Sequence, residues 1–145
     1  MTTLEELKAR MELKALVDNY ATESDKDNQD YYVNVFAKNC KVKVYMNKEV
    51  AMDFDNVNDL IVAYKSFGAA KEAFHMNGQQ VVEFQDDNHA TGTVYGMAHL
   101  VTEDDGKDIL TTHYIRYYDT YEKIDGKWLI VERHQHFLFS KNETL

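Results

Sequence analysis

The tetrapeptide Ile124-Asp125-Gly126-Lys127 constrains this chain more than any other stretch. It separates two long runs rich in Tyr, Ile, Val, Phe and Thr, which extend from Ile109 to Phe139. Asp-Gly between β-prone runs is a strong short-range hairpin signal, because both central residues of a type I′ turn need φ > 0. Each arm is about 12 residues or longer, against a usual strand length of about 5–6. Strands that long twist and curl, and give their sheet a concave side.

The two faces of this hairpin are not cleanly divided into apolar and polar. On the first arm, Ile109, Thr111, His113, Ile115, Tyr117, Asp119 and Tyr121 share one face, and Leu110, Thr112, Tyr114, Arg116, Tyr118 and Thr120 the other. On the return arm, strict alternation puts Trp128, Ile130 and Leu138 together, and Leu129, Val131, Phe137 and Phe139 opposite. An antiparallel sheet with one wet side alternates more strictly. Both faces are therefore expected to be covered, one by the chain's own helices and one by a second subunit. The partner expectation is a homodimer or higher homo-oligomer.

Composition narrows the classes. The chain has 145 residues, 44% hydrophobic and 28% charged, as expected for one globular domain over 1–145. Its formal charge of −9, with no Lys/Arg cluster, argues against nucleic acid and anionic membrane surfaces as partners. Acidic residues gather in short groups at 25–30, 86–87 and 103–105, which read as solvated turns. The single cysteine, Cys40, has no partner for an internal disulfide and no nearby base. With no signal peptide and no long apolar run, the expected location is cytoplasmic.

Upstream of the hairpin, residues 3–20 predict an amphipathic helix. Thr3 and Glu6 form a capping box, and Leu4, Leu7, Met11, Leu13, Leu16, Val17 and Tyr20 supply its apolar positions. The polar stretch 22–27 should end it. A second helix is expected from Asp27 or Asn28 to Asn39, burying Tyr31, Val35 and Phe36. Residues 41–45 and 49–54 alternate as strands around Asn47-Lys48. Asn56 caps a third helix carrying Val57, Leu60, Ile61 and Tyr64, with Gly68 as its stop and another helical turn over 69–74. Strands follow at 75–85 and 89–102, with turns at 85–88 and 103–106. Helices, a strand pair, a helix and four antiparallel strands make an α+β fold with helices on one face of a curved sheet. Such a fold leaves a cone-shaped cavity suited to small molecules.

This order resembles the nuclear-transport-factor-2-like (cystatin-like) superfamily. Tyr20, Asp25 five positions later, a lone His75 opening the third strand, and the segment from Tyr118 to Trp128 narrow it further. Together they look like the SnoaL-like branch that includes scytalone dehydratase and the bile-acid 7α-dehydratases. The resemblance implies three N-terminal helices packed on a curved antiparallel sheet, and catalytic roles for Tyr20, Asp25 and His75. The sequence departs from scytalone dehydratase in two places. His99 lies one residue from the position of that enzyme's second histidine, and one step changes the face. Tyr117 stands where that enzyme has an asparagine. Neither the Asp-Arg-Asp set of limonene epoxide hydrolase nor the paired acids of ketosteroid isomerase is found.

The chemistry implied is dehydration of a hydroxy-carbonyl compound, or isomerisation of an enone. Either needs a base for a carbon-bound proton and a donor for the enolate oxygen. His75 fits as base, Asp25 as the carboxylate that orients it, and Tyr20 as donor. Each also has a structural alternative: Tyr20 as core, Asp25 as a solvated loop residue, His75 as a satisfied buried histidine. His113, Ile115 and Tyr117 share a strand face and are expected to line the cavity and bind substrate. No cofactor is expected, the glycines being scattered with no phosphate-cradling arrangement. No metal is expected either: His134 and His136 point the same way, but a third ligand is missing. The resemblance implies a hydrophobic small-molecule substrate, often polycyclic in this group. The rival reading is a non-catalytic ligand-binding or dimerisation module.

Overall fold

The computed structural model describes residues 1–145. An N-terminal helix, α1 (Thr3–Asp25), leads into a 3-10 segment (Gln29–Asn34) and strand β1 (Phe36–Met46). Strand β2 (Glu49–Phe54) and helix α2 (Val57–Ser66) come next. Four long strands complete the chain: β3 (Glu72–Asp86), β4 (His89–Asp104), β5 (Lys107–Ile124) and β6 (Lys127–Thr144). All six strands form one curved sheet in the order β2-β1-β6-β5-β4-β3. Every neighbouring pair is antiparallel except β1 with β6, which run parallel.

The expected turns form as the sequence requires. Asp125 (φ 51°) and Gly126 (φ 80°) close the β5–β6 hairpin in the left-handed region, and Asn47 (φ 53°) and Lys48 (φ 66°) do the same between β1 and β2. Asn56 caps α2, its side-chain oxygen accepting from the Asp59 amide at 2.8 Å.

Four expectations are corrected. The capping box lies one residue earlier, on Thr2 and Glu5, and α1 continues to Asp25. The polar stretch 22–27 does end α1, but it holds neither Gly nor Pro, so the helix runs past Tyr20 and stops only before Asp27, whose φ of 56° is left-handed. The helix expected over 27–39 is only the 3-10 segment. Tyr32, Val35, Phe36, Cys40, Val42 and Val44 are buried, and the chain from Phe36 is taken by the sheet instead. Residues 69–74 do not form a helical turn, since the Lys71 amide already bonds Val101 O at 2.8 Å and β3 begins at Glu72. The three expected helical elements are thus two α-helices with a 3-10 segment between them.

The fourth correction concerns faces. Leu4, Leu7 and Met11 are exposed by 76%, 54% and 74%, whereas Leu13, Leu16 and Val17 are buried. At 3.6 residues per turn these two sets fall on nearly opposite sides, so α1 carries two apolar stripes and only one meets the sheet. On β6 the strict alternation fails because the β5–β6 register shifts twice, between Thr120 and Tyr121 and between Tyr114 and Ile115. Each bulge inserts a residue and flips the parity. Trp128 and Ile130 therefore share the inner face with Arg133, Gln135 and Phe137, not with Leu138.

The core lies between α1, α2 and this inner face. Asn77 Nδ2 donates to Val17 O and to the Asp18 carboxylate, both at 3.0 Å, and Gln80 Nε2 donates to Leu13 O at 3.2 Å. These side chains of β3 anchor α1 over the sheet and set where its C-terminal end, Tyr20 to Asp25, arrives.

Candidate active site

Beside the end of α1 a cavity of about 510 Å³ opens between the helices and the sheet. Its wall includes Tyr20 and Asp25 from α1, His75 from β3, His113, Ile115 and Tyr117 from β5, and Gln135 and Phe137 from β6. Tyr64 of α2 and the connection 67–71 close another side.

The geometry at His75 is specific. Its ring Nδ1 lies 2.5 Å from Asp25 Oδ1, and its backbone amide donates to both oxygens of the same carboxylate at 3.0 and 2.9 Å. A carboxylate only accepts, so Nδ1 carries a hydrogen, and in the neutral tautomer this selects it is Nε2 that holds the lone pair. No protein group bonds Nε2. The side chains of His75 and Asp25 are 19% and 25% exposed, enough to reach the cavity without facing bulk water freely.

Tyr20 is buried, its ring against Tyr32 (4.9 Å), Phe36 (5.7 Å) and Tyr117 (6.5 Å). Burial raises its hydroxyl's pKa, opposed chiefly by the Arg133 cation. The hydroxyl therefore stays protonated, able to donate. The site-residue set expected from sequence is thus drawn together: Tyr20, Asp25, His75, His113, Ile115 and Tyr117 all line one cavity. His113 Nδ1 pairs with Ser140 Oγ at 2.6 Å, and burial, then the nearby His75, lowers its pKa. His99 does not join. Its neighbour Ala98 faces the cavity, while His99 turns to the other face against Phe74 and Thr112. His134 and His136 also lie on that outer face, stacked on Tyr45, with His134 bonded to the Tyr45 hydroxyl at 2.9 Å.

Sequence reasoning missed Arg133, Gln135 and Tyr64. Arg133, only 1% exposed, makes a bidentate pair with Asp119 at 2.7 and 2.9 Å. Its guanidinium lies 4.1 Å from the Tyr117 ring centre and 4.9 Å from that of Tyr20. Its Nη1 is buried with no partner. Arg133 and Gln135 were hidden by the bulge at Val131, which moves them to the inner face. The paired Asp119 was a weak signal: an acidic residue on a strand face otherwise given to Ile115, Tyr117 and Tyr121.

Residues 5–134 match the family described as the SnoaL-like domain. No curated protein matches the chain in sequence. Among solved structures, a protein assigned as a scytalone dehydratase from Novosphingobium aromaticivorans superposes with a TM-score of 0.85 at 16% identity, covering 99% of this chain and 93% of its own. The hexachlorocyclohexane dehydrochlorinase LinA-type3 from Novosphingobium barchaimii gives 0.81 at 13% identity, over 98% and 94%. A protein assigned as a calcium/calmodulin-dependent protein kinase II association domain from Xanthomonas campestris gives 0.69 at 24% identity, over 88% and 86%. At these identities the likenesses establish shared fold. The match over 5–134 makes this chain a member of the SnoaL-like domain family.

Proposed function

We propose that the protein is a cofactor-independent lyase or isomerase acting on a small, largely apolar hydroxy-carbonyl compound. The observation that carries the reading is the His75–Asp25 pair, with Nδ1 held at 2.5 Å and Nε2 free at the cavity wall. His75 Nε2 takes a proton from the carbon next to the substrate carbonyl, and the Tyr20 hydroxyl donates to the oxygen as enolate charge builds. Asp25 holds the ring's tautomer and stabilises the imidazolium. In a dehydration the enolate pair re-forms the carbonyl and a carbon–carbon double bond, the β carbon–oxygen bond breaks, and His75 returns its proton to the departing hydroxyl as water. In an isomerisation the same proton returns to a different carbon. The reading is supported by likeness to proteins named as a scytalone dehydratase and a dehydrochlorinase, both names of elimination chemistry.

A second reading, a non-catalytic ligand-binding or dimerisation module, is favoured by one observation. Phe74, Met76 and Phe139 are at least half exposed on the strands. A likeness to a protein named as an association domain accords with it. The same surface supports a homo-oligomer under either reading.

The test is turnover of a panel of β-hydroxy ketones and enones. His75→Ala should lower kcat by roughly a hundredfold or more, with the circular dichroism spectrum unchanged. Asp25→Asn should also slow turnover by releasing the wrong tautomer. Binding without conversion by the wild-type protein, indifferent to both substitutions, would favour the module and refute the enzyme.

A further inference from the structure

The cavity has a second polar pole that the proposed chemistry does not use. Gln135 sits on the inner face of β6 between Val44 of β1 and Tyr117 of β5, and is 5% exposed. Its Oε1 accepts from the Tyr64 hydroxyl at 3.5 Å. That bond, though long, orients the amide, and its Nε2 is left with no protein acceptor while the side chain lines the cavity. Val44 and Ile115, both buried, lie near it, and neither side chain can accept a hydrogen bond. An amide donor with no protein partner, on a side chain otherwise buried, is placed to meet an oxygen that enters the cavity.

From this we infer that Gln135 is a specificity-determining residue that receives a second oxygen acceptor of the substrate, a ring carbonyl or ether remote from the reacting end. The inference rests on the proposed function and narrows its substrate class. The ligand carries two oxygen functions on an apolar framework. One lies at His75 and Tyr20, where the carbon-bound proton is removed, and the other at Gln135. The walls between fit such a framework, because Ala98, Leu100, Ile115 and Phe137 offer no competing hydrogen bond through their side chains. Tyr64 acts here as a positioning residue, holding the Gln135 amide so that its N–H groups, rather than its oxygen, face the ligand.

The test uses matched ring ketones that differ only in the second oxygen: trans-2-decalone against trans-decalin-2,6-dione, and the corresponding perhydroanthracene monoketone and diketone. Binding is measured by calorimetry on the wild-type protein, Gln135→Leu and Gln135→Glu. In the wild type the better-fitting diketone should bind roughly ten- to a hundredfold more tightly than its monoketone. Gln135→Leu should erase that difference while leaving monoketone affinity within about threefold. Gln135→Glu, which puts an acceptor where the donor was, should weaken the diketone further than the monoketone, and tests the point even if the leucine variant folds poorly. Equal affinity for both ketones in the wild type would overturn the inference, yet leave the proposed chemistry standing if β-hydroxy ketones are still converted in a His75-dependent manner. Failure of all four ketones to bind overturns it as well, and loss of His75-dependent conversion alongside would bring down the proposed function too.

Discussion

Asp119→Asn isolates a charge that the fold has enclosed. Asp119 and Arg133 have side chains 0% and 1% exposed, and the carboxylate also accepts from the Tyr121 hydroxyl at 3.1 Å. Arginine does not lose its proton in a protein, so the variant must hold a buried cation with no counter-charge, and its carboxamide turns one donor toward the guanidinium. Breaking a buried pair in this way costs about 3–5 kcal/mol. That is a large part of the roughly 5–15 kcal/mol by which a domain is stable. At about 2–4 °C per kcal/mol for a chain of this size, the midpoint should fall by roughly 6–20 °C. Urea unfolding followed by the fluorescence of Trp128, the chain's single tryptophan, measures the loss directly. The double substitution Asp119→Leu with Arg133→Met should recover most of it, because an apolar pair of similar volume avoids the desolvation of two ions. A loss below about 1 kcal/mol for Asp119→Asn would mean that water reaches the pair, and would refute the reasoning.

Gly92→Ala should cost about 1–3 kcal/mol by urea titration, because the added carbon would sit 2.7 Å from Cε2 of the fully buried Tyr121 and 3.1 Å from Val81 O. Leu13→Ala should cost about 2–5 kcal/mol, whereas Met11→Glu on the opposite stripe of α1 should change stability by less than about 0.5 kcal/mol; equal losses would misplace the helix. For His113, burial and His75 lower the folded-state pKa below its ordinary value of about 6.5. The unfolded chain then takes up a proton that the folded ring resists, so this stabilisation is complete above about pH 6.5 and is lost as pH falls toward the lower folded value. His113→Gln should flatten that acid limb in urea titrations across pH 7 to 5, with a residual slope from His136, whose pKa is lowered by burial, His134 and Arg116. An unchanged limb would show that His113 is not desolvated.

Local signals carried the sheet into view. Asp-Gly and Asn-Lys turns, an Asn cap and alternating strands each fix a few residues by their own chemistry, and the structure follows them at Gly126, Asn47 and Asn56. The errors arose where a neighbour distant in sequence decides the outcome. Phe36 became strand because β6 pairs with it, at Ile130, whose amide donates to Val35 O at 2.8 Å just before the strand begins. Parity on β6 is set by bulges that have no residue signature of their own, and so Arg133 and Gln135 were unreadable as inward-facing. Leu4, Leu7 and Met11 lie at three- and four-residue steps from one another, yet the accumulated angle carries them to the side of α1 opposite Leu13, Leu16 and Val17. The site was more legible than its surroundings: Tyr20, Asp25 and His75 were readable through a family pattern, and the structure brings all three to one cavity. What the pattern did not contain was the buried ion pair beneath Tyr20 and the Gln135 amide on the cavity wall.

The sheet order has a consequence for how the molecule is made. The final strand stands between β1 and β5, so the early hairpin and the later meander share no edge until it arrives. A ribosome adding about 5–20 residues per second must finish Arg133 before Asp119 has its cation. Until then the nascent chain exposes Val42 and Val44 along an unpaired border, an invitation to chaperones or to another nascent copy.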